Sequence, residues 1–482
     1  MKKLLLILFF PALLFGQTEN PKRVQLTFKE AVKIGLNENV LLKQAGNQLE
    51  IQQAIQLREK FRYLPNVSAT STFRQIDGQQ FNQVQGEVAF TKSNNLSAGI
   101  DVGINIFEGF GRIKSIKRAN YDFQAQSDAV ERAKQQLIFD ISQQYLQILL
   151  SQELLRIAED NLNVQTTTLD QIQGQVDAGA LAKPDLYTQQ AQVQQLEVQK
   201  IRSGNDLRIN KTNLMQTLLL EPVVEIEPVE PNWNIDEIIA TGYDLNEMYE
   251  TALKNRPDYN QTVNTVKSNQ LGIGVASAGY YPTLSAFWSY GTNYSNLVAN
   301  SSQVPNGRFE TIGYLNGDTN QPVISRDEST DRVSEEVSFG DQFFDANPAT
   351  VLGLRLDIPL FDRFQTRTSR TIARLQHDNA ILNEKNLKRT VFLDVQNAYL
   401  NFEAAKTDYY ASQKQFTAAE KALEVQKERY ELGVGNLVEL SQANNLYVQG
   451  AASKAQSEYT LYFQKVILDF VLGTLNFEDI PD

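Results

Sequence analysis

Residues 96–107, LSAGIDVGINIF, alternate with a period of two. Leu96, Ala98, Ile100, Val102, Ile104 and Ile106 fall on one face, while Ser97, Gly99, Asp101, Gly103 and Asn105 fall on the other. One apolar face, one polar face and a length close to the ~9–11 residues that cross a bilayer at a tilt describe a strand of a membrane β-barrel. Residues 350–361, TVLGLRLDIPLF, repeat the pattern, with Leu352, Leu354, Leu356, Ile358 and Leu360 on one face. Two copies of so uncommon an element predict a duplicated chain.

The sequence slid against itself bears this out over long distances. At an offset of 217, Glu30, Leu36 and Pro65 meet Glu247, Leu253 and Pro282, and LPNVSA at 64–69 meets YPTLSA at 281–286. After the loop between strands the offset becomes 254: Phe107 meets Phe361, Asp140 meets Asp394, Tyr145 meets Tyr399, Gly179 meets Gly433, and Leu214 and Leu218 meet Leu468 and Leu472. The difference is a 37-residue insertion in the second loop, 291–349. An exposed loop is the default reading of its Asn, Ser, Gly and Asp content, and occlusion of a barrel mouth is the alternative.

The expected organisation is a mixed α and β membrane protein made of a duplicated helix-strand-strand-helix-helix unit. Residues 1–16 read as a signal peptide: two lysines, an apolar run from Leu4 to Phe15, and Gly16. Residues 17–220 form the first copy, with an opening helix near 27–63, strands about 66–74 and 95–107, and helices about 112–174 and 185–219. Residues 221–242, rich in proline and acids, read as a connector. Residues 243–482 form the second copy, with strands about 283–290 and 350–361 and helices about 364–432 and 437–472. Phe73, Trp288 and Tyr290 suit the aromatic girdle at a membrane interface.

Composition narrows the function. Without 1–16, two lysines fewer leave 43 basic against 57 acidic residues, a net charge of −14 that argues against nucleic-acid partners. Cysteine is absent, so no disulfide, thiolate chemistry or cysteine-borne lipid anchor is expected. A single histidine, His377, leaves little from which to build a metal site, and no acid cluster has catalytic spacing, so neither a cofactor nor an enzyme is expected. No apolar run after the first residues is long enough for a spanning helix, which leaves strands closed into a barrel.

Residues 112–173 and 363–432 contain no proline or glycine, which predicts helices of roughly 60–70 residues, about 90–105 Å long. Ala133, Leu137, Ile141, Tyr145 and Ile148 make a narrow apolar stripe suited to lateral packing. Gly179 and Gly433 can take the left-handed conformation that stops each helix, with Asn436 and the Pro184-Asp185 pair starting the returns. Four strands cannot close a barrel, and their two edges would face lipid unpaired. The barrel must therefore be shared, with two, three or four chains giving 8, 12 or 16 strands.

Taken together, this pattern resembles the TolC-type outer membrane efflux proteins over about 26–474. The resemblance rests on LTFKEAVKIGLNENV and its partner LNEMYETALKNRP, the helix-ending LP and YP, strand pairs closing in IFEGFGR and LFDRFQT, and the hairpins around Gly179 and Gly433. It implies a homotrimer with a shared 12-stranded β-barrel in the outer membrane and a long periplasmic α-helical barrel. The function it implies is a passive exit duct of a tripartite efflux or type I secretion system. The implied partners are outer membrane lipid, a periplasmic adaptor and an inner-membrane RND, ABC or MFS transporter.

The resemblance also implies adaptor docking at the hairpin tips, here Ala178, Gly179, Ala180, Leu432, Gly433 and Val434, and a gate near them. The family's gate tyrosine falls on Tyr430 and two acids fall on Asp185 and Glu439, whereas Gly435 stands at the arginine position and Gln442 at a further acid. A ring of carboxylates at a constriction would favour cations. Asp185 and Glu439 equally suit helix N-termini through the dipole, and Tyr430 equally suits packing. The alternative function, a periplasmic coiled-coil protein or surface adhesin, accounts for the helices but not for the two-faced strands.

Overall fold

The computed structural model describes residues 22–82, 86–221, 224–240, 242–327 and 329–480. The signal-peptide reading of 1–16 lies outside them. In chain order the elements are β1 (Lys22–Leu26), α1 (Phe28–Glu38), α2 (Val40–Phe61), β2 (Asn66–Asn82), β3 (Glu87–Glu108), α3 (Gly111–Asp177) and α4 (Lys183–Leu218). There follow β4 (Val224–Pro228), α5 (Ile235–Ala240), α6 (Leu245–Asn255), α7 (Pro257–Ala276), β5 (Thr283–Ser295) and the short strands β6 (Ala299–Pro305), β7 (Phe309–Tyr314), β8 (Pro322–Arg326) and β9 (Thr330–Glu336). The chain closes with β10 (Ala349–Asp357), α8 (Gln365–Glu431) and α9 (Leu437–Leu472). It divides into two compact units.

The first unit takes the chain up to Ala54, Ala119–Asn269 and the part from Gln376. Its core is built twice. In copy one, Ala31 and Val32 pack with Leu137, Ile141, Ile148, Leu214 and Leu218. In copy two, Met248 and Ala252 pack with Val391, Val395, Phe402, Leu468 and Leu472. Met248 stands at the place of Ala31 and Ala252 at that of Gly35 by the offset of 217, the long-helix positions correspond at 254, and Ile141 and Val395 are both fully buried. Gly35 marks how close the contact is, since a Cβ there would collide with the Ile141 side chain. The opening helix is two helices, not one. Thr27 and Glu30 form a reciprocal capping box at its start. Asn39 leaves helical geometry, and its side chain accepts the Leu42 N–H at 3.1 Å, ending one helix and capping the next.

The reading of 221–242 as a connector is corrected in part. β4 pairs in parallel with β1, placing Val24 beside Ile226, and Ile226 is buried in the first core. The alternation VEIEP supplies one inward and two outward side chains, enough to cap a core between prolines. The Tyr145 hydroxyl, buried beneath this pair, donates to the carbonyls of Leu26 and Val229, 2.7 and 2.5 Å away.

The second unit comprises Ile55–Arg118 and Gln270–Leu375. Its centre is a four-stranded antiparallel sheet in the order β10-β5-β3-β2. β2 and β3 run well past the expected 66–74 and 95–107, pairing down to Asn82 opposite Glu87. The added stretch, QIDGQQF, lacks apolar alternation, so the sequence pattern ends where apolar surroundings would end. Strand β10, in contrast, stops at Asp357, just short of Pro359, instead of continuing to 361. The 291–349 segment is not plain loop: β5 continues to Ser295, β6 pairs with β9, β7 pairs with β8, and Asp341–Ala346 forms a π-helical turn.

Each copy passes from strand to helix through the same elbow. Gly109 and Phe110 take φ of +57° and +63°, and the residues 254 further on, Arg363 and Phe364, take +54° and +64°. At Gly109 the space is closed as well, since a Cβ would come within 2.5 Å of the Ala278 carbonyl oxygen.

Candidate functional site

The sheet is a wall with two chemically distinct faces. Register places Val67, Val102, Trp288 and Leu352 in one row, and Ala69, Ile100, Tyr290 and Thr350 in the next on the same face. The other face carries Ser68, Asp101, Ser289 and Val351, then Asn66, Gly103, Phe287 and Gly353. The apolar face is bare: Leu352 is 78% exposed and Leu354 71%. Leaving such a row in water forfeits about 1.5–3 kcal/mol per large side chain. The expected alternation holds through Ile104 and then shifts, because a bulge between Asn105 and Phe107 sets Phe107, not Ile106, opposite Leu284. Phe287 and Val351 are the exceptions on the polar face, and Phe287 has a further role. Its ring lies over Gly353, where any Cβ would collide with it, the usual way an aromatic covers a strand glycine.

The three aromatics singled out from sequence share the Ile100 face. Phe73 pairs with Leu96, which pairs with Tyr294, whereas Trp288 lies opposite Val102. Six residues of strand, ~20 Å at the usual rise, separate those rows. β2 and β10 are the sheet's edges, and among the described residues neither pairs with a further strand.

The hairpins of the first unit are closed by one device used twice. Gly179, φ +76°, donates its N–H to Val176 O at 2.9 Å, and Ala180 donates to Gln175 O at 2.8 Å. Gly433, φ +72°, donates to Tyr430 O at 3.0 Å, and Val434 to Arg429 O at 3.0 Å. Both are Schellman turns, which satisfy carbonyls the helix leaves open. The tips, Ala178 to Ala180 and Leu432 to Val434, are exposed.

Asp185 and Glu439 occupy the same position in the two copies, each in the first turn of the return helix, but only Glu439 is held. Gln426 Nε2 donates to it at 2.5 Å, Asn436 Nδ2 at 3.1 Å, and Arg429 Nη1 forms an ion pair at 3.5 Å. Copy one offers Ile172, Gln175 and Ala182 at the matching places, and Asp185 makes no ion pair among the described residues. Sequence reasoning missed Arg429; its spacing of ten residues from Glu439 across a Gly turn was the available signal. Tyr430 is half-buried and lines a cleft of about 950 Å³ between the two hairpins, together with Gln171, Gln175 and Leu437. The chain thus brings Tyr430 to the groove between hairpins, while Glu439 is engaged within its own hairpin.

Two buried polar contacts fix the hairpins. Asn444 donates to Asn161 at 2.9 Å between α9 and α3. Gln189 donates to Gln165 Oε1 at 2.8 Å between α4 and α3, where the second copy has Ala419 and Ala443. A third network sits in the second core region. Arg256, with its side chain 5% exposed, bonds both Asp258 oxygens at 3.1 and 2.7 Å and Asp394 at 3.0 Å. Burial opposes its charge, but the two carboxylates outweigh burial and raise its pKa.

Similarity to known proteins follows the same lines. The chain is 21% identical to outer membrane protein OprJ of Pseudomonas aeruginosa over 420 residues, 86% of this chain and 77% of that one. Its fold matches the CmeC outer membrane channel of Campylobacter jejuni with a TM-score of 0.72 and 16% identity, covering 93% of this chain and 85% of that one. It also matches the outer membrane protein VceC of Vibrio cholerae with a TM-score of 0.72 and 12% identity, covering 92% and 96%. The sequence model of the outer membrane efflux protein family matches residues 37–218 and 248–474, once for each copy. With its duplicated helices and its four two-faced strands, the chain belongs to the outer membrane efflux protein family, the trimeric outer-membrane channels that form the exit of tripartite efflux systems with a periplasmic adaptor and an inner-membrane pump.

Proposed function

We propose that the chain acts as a passive conduit: the Ile100 face of its sheet meets lipid, the Asp101 face lines a lumen shared by three chains, and transport energy comes from the partner pump. The observation that carries this reading is the four-stranded sheet with a bare apolar face and two free edges, β2 and β10. A lone chain would leave those edge N–H and C=O groups unsatisfied in hydrocarbon, so edge must meet edge between chains. The row of Phe73 with Tyr294 and, ~20 Å along the strands, the row of Trp288 carry aromatics of the lipid-facing band, which continues past Trp288 through Leu354 and Leu356. No catalytic step is assigned.

At the hairpins, exposed tips and Schellman turns support a docking role for Ala178, Gly179, Ala180, Leu432, Gly433 and Val434. Tyr430 and Asp185 are the gate candidates, with Glu439 acting first as a brace of its own hairpin. The test is fractionation and phenotype together. Outer membranes should yield a heat- or detergent-resistant trimer, and deletion should sensitise cells to drugs or block export of a protein. Recovery of a soluble periplasmic monomer would overturn the reading.

A further inference from the structure

The acidic chain, net −12, carries a concentrated basic belt immediately beyond the apolar face of its sheet. Three of the four junctions between sheet and helices hold it. Arg58, Lys60 and Arg62 precede β2; Arg112, Lys114, Lys117 and Arg118 follow β3; Arg363, Arg367, Arg370 and Arg374 follow β10. Against these eleven cations the same stretches, 58–63, 108–118 and 362–374, hold only Glu59, Glu108 and Asp362.

Most of the acid is already spent. Glu108 pairs with Arg62 at 3.0 Å and with Arg112 at 3.5 Å, and Glu59 pairs with Arg58 and Arg62. Arg112 is thereby structural: buried, over the Tyr63 ring at 4.9 Å, and bonded to the Asn105 carbonyl. Lys114, Lys117, Arg363, Arg367, Arg370 and Arg374 have no carboxylate partner among the described residues, and the four arginines are exposed. Arg367, Arg370 and Arg374 stand at helical spacings of three and seven, within one 60° arc of α8.

The belt adjoins the band it would border. Leu360 is 93% exposed, and Arg363 comes three residues later. The Arg367 guanidinium lies 5.9 Å from the Phe364 ring, which contacts Phe361 edge-on at 5.8 Å. Exposed apolar side chains, then aromatics, then unpaired long cations is the order of groups met on leaving a bilayer through its headgroups.

We propose that Lys114, Lys117, Arg363, Arg367, Arg370 and Arg374 bind the anionic headgroups of phospholipids in the periplasmic leaflet, fixing the barrel's depth and gathering anionic lipid around it. Guanidinium forks bind phosphate in a bidentate manner, and unneutralised cations beside a charged leaflet are held by its surface potential. The inference rests on the barrel reading above.

The test uses the purified full-length trimer. Flotation with phosphatidylcholine vesicles scores insertion alone, and failure to float overturns the barrel reading itself. Spin-labelled phosphatidylglycerol and phosphatidylcholine then report lipid selectivity in inserted protein. The native protein should immobilise phosphatidylglycerol with a preference of roughly threefold or more, shrinking as salt is raised. R363Q/R367Q/R370Q/R374Q should bring the preference close to unity while the corresponding lysine variant retains it, and K114Q/K117Q should lower it partway. Equal immobilisation of the two lipids by the native protein, a salt-independent preference, or an undiminished preference in the glutamine variants would overturn the proposal.

Discussion

Arg429 and Glu439 meet at 3.5 Å across the turn that closes the second hairpin, and Asn436 and Gln426 hold the same carboxylate from its other sides. The first hairpin reaches the same turn geometry without any of these partners, because Ile172, Gln175 and Ala182 stand in their places. The two hairpin ends therefore share a backbone and differ in rigidity.

That asymmetry is measurable by hydrogen exchange at the tips. Glu439→Ala removes the hydrogen bonds that the carboxylate accepts from Gln426 and Asn436 and an exposed ion pair, together worth about 1 kcal/mol, so amides near 432–440 should exchange about fivefold faster. Asp185→Ala loses only a dipole interaction and should change amides near 178–186 by less than about twofold. Equal effects would contradict the brace assigned to Glu439.

The Arg256 network should be costly to break. Arg256→Ala removes its bonds to Asp258 and Asp394, a loss of about 1.5–3 kcal/mol, since both carboxylates are partly exposed and Arg132 stays 3.8 Å from Asp258. Arg256→Lys should recover only part, since one ammonium cannot span three oxygens in a fixed fork. Burial alone would raise the Asp258 pKa, but Arg256 beside it brings it below the ordinary value. A carboxylate depressed on folding adds stability above its unfolded pKa of about 3.9 and loses it as pH falls through the folded value. Melting should thus be flat from neutrality to about pH 5 in this respect and fall below pH 4, and Asp258→Asn should remove that acid limb.

Glu458 has the opposite sign. Burial pushes its carboxyl above the usual range, and Glu230 and Glu153 add to the rise while Lys454 opposes it. Stability linked to this group is present at low pH and lost as pH climbs through the raised value. Glu458→Gln should therefore raise the melting temperature at pH 8 by the order of 1 °C, with the gain vanishing near pH 4.

The face assignment of β3 is tested by charge. Ile100→Lys should impair insertion far more than Ser97→Lys, since a lysine on the lipid side costs up to about 2–4 kcal/mol at mid-depth. Ser97 is a better control than Gly99, where a Cβ would approach the Tyr290 carbonyl oxygen to 3.3 Å. Comparable losses of folded trimer in vesicles for the two variants would reverse the faces.

Where physical constraint imposes a period, the chain was legible. The alternation at 96–107 and 350–361 located two strands, and the offsets of 217 and 254 matched Ile141 to Val395 and Leu214 to Leu468, each pair fully buried. Features set by single contacts were not. Nothing in QIDGQQFN distinguishes a protruding strand from loop, because its pairing with β3 rests on backbone register and single polar contacts, such as Ser93 with Gln80, that impose no period. The bulge at Ile106, the break at Asn39 and the strand in the 221–242 segment each turn on one residue's geometry. At the hairpins, the resemblance pointed to Glu439, but the Arg429 that binds it lies outside the inherited pattern.

The strand order β10-β5-β3-β2 has a consequence for how three chains count as six. Within a chain, the second strand of copy one lies against the first strand of copy two, at the β3–β5 seam. Between chains, β10 and β2 present the second strand of copy two to the first strand of copy one. The seam inside a subunit and the seam between subunits are thus the same kind of junction, and the wall is a ring of six hairpins of which three joints happen to be covalently tethered. Selection can therefore reshape one copy, as the 37-residue insertion has done, without disturbing the closure rule that the ring enforces.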